Sequence, residues 1–186
     1  MVAQKYGYIL AQKRKYLKHT LIWGIIVTVI FFTGLVILKK RETYFTVMAG
    51  VMVMGIALNL SRYIGYSRFK EGNSEYVDIF DEVKAEYYIF HSAIIPCSSE
   101  TAFFENIIVT SSHIYFISEV SQRSDRYRLV LENALKNKGI ALESICFYSV
   151  ENISEAETIR LQIEKDSTTN LPKLEEHKRI IENLLM

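Results

Sequence analysis

The chain has 186 residues, a formal net charge of +1 and 23% charged residues, enough for one ordinary domain and an anchor. The near-neutral total hides a division: residues 1–70 hold 11 Lys/Arg against one acid, Glu42, whereas residues 71–186 hold 11 against 20 Asp/Glu. Such an acidic C-terminal part argues against non-specific nucleic-acid binding, which needs clustered cations. Two cysteines, Cys97 and Cys146, are too few for a disulfide framework or an all-cysteine metal site.

In chain order, residues 1–20 form a basic segment with Lys5, Lys13, Arg14, Lys15 and Lys18. Leu21 to Leu38 follows as 18 residues without a charge, about 27 Å as a helix and close to the hydrocarbon thickness of a bilayer. This run exceeds the apolar stretch of a signal peptide, and no small-x-small site precedes Lys39. Residues 39–43 are too few to hold a domain, and 44–61 form a second uncharged run, so the two read as an antiparallel transmembrane hairpin. Trp23, Tyr44 and Tyr63 fall near the expected ends, where amphipathic rings favour the headgroup zone. The expected membrane-surface contacts are Lys13, Arg14, Lys15, Lys18, Trp23, Lys39, Lys40, Arg41 and Arg62.

Eight Lys/Arg flank the hairpin on its outer ends, including Arg62, Arg68 and Lys70, against three in the loop. That bias places both termini in the cytoplasm of a two-pass cell-membrane protein. Neither span holds an Asp, Glu, Lys, Arg or His, which argues against an ion or proton pathway. Ala49, Gly50, Gly55 and Ala57 are small enough to let the partner helix approach.

A juxtamembrane linker at 62–73 leads to a soluble domain at 74–186. Ser74 is expected to cap a helix to about Glu86, with Tyr76, Ile79, Phe80 and Val83 on one face. Tyr87 to Ile95, Ala102 to Thr110 and His113 to Val120 read as strands, the last two joined by Ser111-Ser112. Ser124 should cap a helix stopped by Gly139. Ile140 to Val150 and the alternating run Thr158 to Glu164 read as strands, and Pro172 opens a last helix. The predicted fold is a two-helix hairpin plus an α+β (layered α/β) domain of order αβββαββα.

Candidate chemistry is sparse. His19 sits among cations at the membrane edge, and His91, His113 and His177 have no second ligand at metal spacing, so structural roles are expected. Ser98, Ser99, Ser111 and Ser112 lack a nucleophile elbow, and no phosphate-binding glycine loop occurs.

Three resemblances bear on the reading. The order helix, three strands, helix, strand over residues 74–150 resembles the core of the PD-(D/E)xK (restriction-endonuclease-like) nucleases. That resemblance implies a metal held by carboxylates, with Glu82, Glu105 and Glu119 as the candidates; the lysine of the pattern is replaced by Ser121. The run ENIIVTSSHIYFIS and the closing helix PKLEEHKRIIENLLM resemble the bacterial PH-like and GRAM modules, which implies the alternative fold, a split barrel with a C-terminal helix. Over its whole length, through KRETYFTVMAGVMVMGIALNL and LENALKNKGIALESICFY, the chain is similar to small two-helix membrane proteins of low-GC Gram-positive bacteria. These features together predict a membrane-anchored regulatory or interaction module without enzymatic activity or cofactor. Its expected partners are anionic lipid headgroups and a protein, a second copy included; nucleic acid is not expected. The alternatives are a metal-dependent nuclease, and a membrane effector or immunity protein with a ligand-sensing domain.

Overall fold

The computed structural model describes residues 1–38, 44–97, 101–119, 125–166 and 170–185. Two units emerge: a helical hairpin over Ile9–Lys70, and an α/β unit made of Met1–Tyr8 with Glu71–Met186.

In the hairpin, α1 spans Tyr8–Leu38 and α2 spans Tyr44–Ser67. Their 31 and 24 residues give lengths of about 46 and 36 Å. Both are long and apolar enough to cross a membrane. The helices run antiparallel, with Tyr16 stacked on Tyr66 at 5.8 Å, Trp23 over Gly55, and Gly34 against Phe45. Gly34 is required there: a Cβ would lie 2.4 Å from that of Phe45. Of the expected small residues, Ala49 is buried and Gly55 lies under Trp23, whereas Gly50 opens onto empty space. The first helix begins thirteen residues ahead of the expected span, so the basic segment is helical from Tyr8 onward. Lys39, Lys40 and Arg41 lie outside the described residues.

The α/β unit is built on a sheet of order β1-β2-β3-β4-β5. Its strands are β1 (Val2–Gln4), β2 (Tyr88–Pro96), β3 (Thr101–Val109), β4 (Ile114–Glu119) and β5 (Ile145–Val150). β2, β3 and β4 form an antiparallel meander, while β1 joins β2 and β5 joins β4 in parallel. The helices are α3 (Ser74–Asp81), α4 (Asp125–Lys136), α5 (Ile153–Asp166) and α6 (Leu171–Glu182). Strand residues buried on both faces demand a helical layer on each side. Phe104, Ile107 and Phe116 pack with Leu131 and Leu135 of α4 and Leu174 and Ile181 of α6. Ile89, Ile108, Tyr115 and Ile117 pack with Tyr76 and Phe80 of α3 and Ala156, Ile159 and Ile163 of α5. Gly139, at φ +89°, closes α4 as expected, and Ile140 N–H returns to Leu135 O at 3.1 Å.

Several expectations are corrected. Thr158 to Glu164, read as a strand, lies inside α5. The alternation of Ile159, Leu161 and Ile163 coincides with helical spacing: Ala156, Ile159 and Ile163 are buried while Leu161 is 50% exposed. Asn152 and Glu155 start this helix. Asn152 Oδ1 accepts from Glu155 N–H at 3.0 Å, and Glu155 Oε2 accepts from Glu151 N–H at 2.8 Å, close to a reciprocal capping box. Strand β1 was not expected, since three residues carry no periodicity. The first cap is Asn73, whose side chain accepts from Glu75 N–H, rather than Ser74. Helix α3 also ends at Asp81, five residues short of Glu86. The layered sheet, flanked by helices on both faces, replaces the split-barrel alternative.

Candidate functional site

The apolar centre of the sheet is interrupted by polar side chains that should not be there unpaid for: His91, Ser92, Glu105, Asn106 and Ser118 are all at most 5% exposed. Between β2 and β3 the pairing passes from His91↔Asn106 to Ala93↔Phe104, and Ser92 and Glu105 fall between these pairs. Ser92 has φ +51°, a left-handed conformation that costs a non-glycine residue about 1 kcal/mol or more.

That local turn presents Ser92 to the segment entering α3. Ser92 Oγ donates to Glu71 Oε2 at 2.8 Å and accepts from Gly72 N–H at 3.2 Å. Glu105 Oε1 accepts from Asn73 N–H at 3.4 Å. Gly72 lies so close to Glu105 that a Cβ would meet its side chain at 3.3 Å. From the other side, Gln4 Nε2 donates to the carbonyls of His91 and Ser92 at 2.9 and 3.3 Å. The residues before α1 and those after α2 are thus fastened to one point on β2. Next to it the His91 ring lies between Asp81 Oδ1, 3.2 Å from Nε2, and the Asn106 side-chain amide, 2.7 Å from Nδ1.

Glu105 Oε2 and Ser118 Oγ are buried without a partner among the described residues. Leaving a buried polar atom unsatisfied costs about 1–3 kcal/mol, and such costs concentrate where a structure does more than fold. Burial pushes the Glu105 carboxyl above the usual range, the Asn73 N–H opposes this, and the nearby Glu119 carboxylate adds to it. Chemically, Glu105 is a group that holds a proton more tightly than an exposed glutamate.

Of the three carboxylates that the nuclease resemblance implies, Glu105 and Glu119 are electrostatic neighbours. Glu82 is not with them. It caps the C-terminal end of α3, about 12 Å of helix from Asn73, and pairs with Arg160 at 3.0 Å. No group of three His, Cys, Asp or Glu able to hold a metal exists among the described residues. Ser121, at the pattern's lysine position, lies outside the described residues, as do Ser98 and Ser99.

The remaining candidates fill other roles. His177 is buried, with Nδ1 3.1 Å from Thr110 O, and burial pushes its pKa down. Cys97 packs against the α4–α6 cluster and Cys146 against the α3–α5 cluster; burial raises both thiols. In the hairpin, Lys13 Nζ donates to Phe69 O at 2.6 Å, and the Arg62 guanidinium lies 5.7 Å from the Tyr16 ring. Arg14, Lys15, Lys18 and His19 line one groove on α1.

Sequence reasoning missed His91, Ser92, Asn106 and Ser118 as a set. The signal that could have exposed them is the polar pair His91-Ser92 breaking one apolar strand and Glu105-Asn106 breaking the next. No family model, curated protein or solved structure matches this chain.

Proposed function

We propose that the protein is a membrane-anchored interaction module, its hairpin crossing the bilayer twice and its α/β unit held at the cytoplasmic surface. The observation that carries the reading is the double fastening on the sheet: β1 pairs with Ile89 and Phe90 of β2 before the hairpin, and Gly72 and Asn73 bond Ser92 of β2 and Glu105 of β3 after it. A chain that leaves and re-enters one sheet must bring both helix ends back to one side, as two crossings do. The apolar side chains of α1 and α2 favour lipid as their solvent: Leu21, Val36, Val51 and Met54 are 60–72% exposed. Eight outer cations against three in the loop favour the cytoplasmic side.

The module acts through contacts with a protein partner rather than by catalysis. Fractionation should place the full chain in the membrane pellet, resistant to alkaline extraction. Protease applied from outside should leave the α/β unit intact, and capture in mild detergent should return one stoichiometric partner. Recovery in the aqueous phase removes the anchor, digestion from outside reverses the sidedness, and a chain always recovered alone removes the interaction role.

The rival reading, a metal-dependent nuclease, draws on the order α3-β2-β3-β4-α4-β5 and on the neighbouring Glu105 and Glu119. Incubating the detergent-solubilised chain with DNA or RNA plus Mg²⁺ or Mn²⁺ decides it. Cleavage abolished by Glu105→Gln would replace the interaction reading.

A further inference from the structure

We infer that α1 carries a seat for one anionic phospholipid, its phosphate on Arg14, Lys15 and Lys18 and one acyl chain along Leu21 to Val29. This rests on the membrane-anchored reading and goes beyond it, naming a discrete ligand in place of general attraction to a charged surface.

Two consecutive grooves carry the inference. The first, about 370 Å³, is lined by Ala11, Arg14, Lys15, Lys18, His19 and Ile22. Positions 11, 14, 15, 18 and 22 recur at helical spacing, so one face of α1 gathers three permanent cations around one volume. The ion pairs among the described residues do not involve Arg14, Lys15 or Lys18, and residues 1–41 contain no acid. Among the described residues the charge of this groove has no ion-pair partner, and an anion is its complement.

The second groove, about 440 Å³, begins in the turn where the first ends and includes Leu21, Gly24, Ile25, Thr28, Val29 and Ile56 of α2. It is apolar despite its threonines. Thr20 Oγ1 donates to Tyr16 O at 2.9 Å and Thr28 Oγ1 to Gly24 O at 2.8 Å, which turns both hydroxyls back onto the helix. Gly24 leaves the floor open, with nothing within 4 Å of where a Cβ would stand. A cationic volume followed at once by an apolar one fits a molecule with an anionic head and a hydrocarbon tail. The cations also stand just outside the run from Leu21, the depth of lipid phosphates when that run fills the hydrocarbon. Lys13 supplies an internal contrast, since its ammonium is bonded to Phe69 O and lies outside the groove.

The test uses full-length protein extracted from membranes in mild detergent; a protein found only in the aqueous phase fails the anchor reading and the seat together. Native mass spectrometry then compares long-chain phosphatidylglycerol, long-chain phosphatidylcholine, a dihexanoyl phosphatidylglycerol and inorganic phosphate. The expected result is at least tenfold tighter binding of phosphatidylglycerol than of phosphatidylcholine, undiminished by inorganic phosphate. Arg14→Gln and Lys18→Gln should each weaken it roughly fivefold, and Lys13→Gln should not. Gly24→Leu should weaken the long-chain lipid and spare the dihexanoyl one. Equal binding of the two long-chain lipids, or a loss in Lys13→Gln matching that in Arg14→Gln, overturns the seat while a membrane-extracted protein leaves the anchor standing. Displacement by inorganic phosphate overturns it too, assigning the groove to free anions.

Discussion

Branched aliphatic side chains meet opposite environments in the two units. In the α/β unit Ile107 and Ile108 are adjacent, point to opposite faces of β3, and are both wholly buried, one under α4 and α6 and the other under α3 and α5. In the hairpin Leu21, Ile25, Val36 and Val51 are 60–70% exposed, although the sequence around them is more apolar. The α/β unit supplies its own apolar solvent by closing layers over a sheet; the apolar windows of the two hairpin helices are only 6% buried and leave most of their side chains to an external one. Packing density should therefore govern stability in the first unit, and close approach between two helices in the second.

The largest expected contrast comes from removing one buried ring. Phe116 is wholly buried, stacked on Phe147 and tilted on Phe104, each at 5.0 Å. Phe116→Ala should destabilise the α/β unit by about 3–5 kcal/mol, whereas Val36→Ala should change hairpin stability by under about 1 kcal/mol. Denaturation of the full chain in detergent separates the two, because Trp23, the single tryptophan, reports the hairpin while far-UV circular dichroism includes the sheet. Equal losses would show that both units draw their stability from the same close packing.

A smaller contrast lies between two glycines of α1. Gly34→Leu must displace Phe45 and should cost the hairpin about 1–3 kcal/mol by overpacking, seen in the Trp23 transition. Gly24→Leu meets nothing within 4 Å and should leave that transition unchanged or slightly raised, since leucine is the better helix former. Loss of the hairpin with Gly24→Leu and not with Gly34→Leu would show that the helices meet along other faces.

The sequence made the two units legible for the same physical reason that separates them. Uncharged runs of 17–18 residues have few states available, and the β2–β4 meander follows from branched and aromatic residues bounded by turn residues. Helix α5 was misread because TIRLQIE satisfies both periods over seven residues. The deciding information sat outside that window, in Asn152, Glu155 and Ala156. Strand β1 was invisible because its pairing depends on β2, more than 80 residues away in the chain. The seam was half legible. Glu105 and Glu119 attracted notice as carboxylates, but Ser92 and Asn106 are ordinary residues whose meaning comes from strand register, which a single sequence does not state.

At the cap itself the effect should be about 1 kcal/mol. Asn152→Ala removes the acceptor for Glu155 N–H and should lower the α/β transition by that amount. Tyr16→Leu removes the Tyr66 stack and the Arg62 contact and should lower the Trp23 transition by a similar or smaller amount. If either change moved the other unit's transition as much as its own, the units would unfold together as one cooperative body.

The finest distinction is in pH dependence. Glu105 is raised in the folded state by burial, with Glu119 adding to this and Asn73 N–H opposing it; Tyr76 and Glu71 stand in the same seam. A carboxyl raised on folding binds its proton more tightly folded than unfolded. Its contribution is complete below the ordinary value near 4.5 and is lost as pH climbs through the raised one. His177 runs the other way: burial lowers it, the Thr110 carbonyl opposes this, Lys173 lowers it further and Glu176 raises it. Its contribution is present above 6.5 and is lost as pH falls through the lowered value. Glu105→Gln should therefore remove a decline in α/β stability as pH rises above about 4.5, and His177→Gln should remove a loss of stability as pH falls below 6.5. The spans from Leu21 to Leu38 and Tyr44 to Ser61 hold no ionisable side chain except the Tyr44 phenol, so the Trp23 transition should stay level across this range. A hairpin transition that followed the Glu105 titration would mean that the fastening at Gly72 and Asn73 transmits the protonation of the sheet to the anchor, and that the two environments contrasted here are energetically joined.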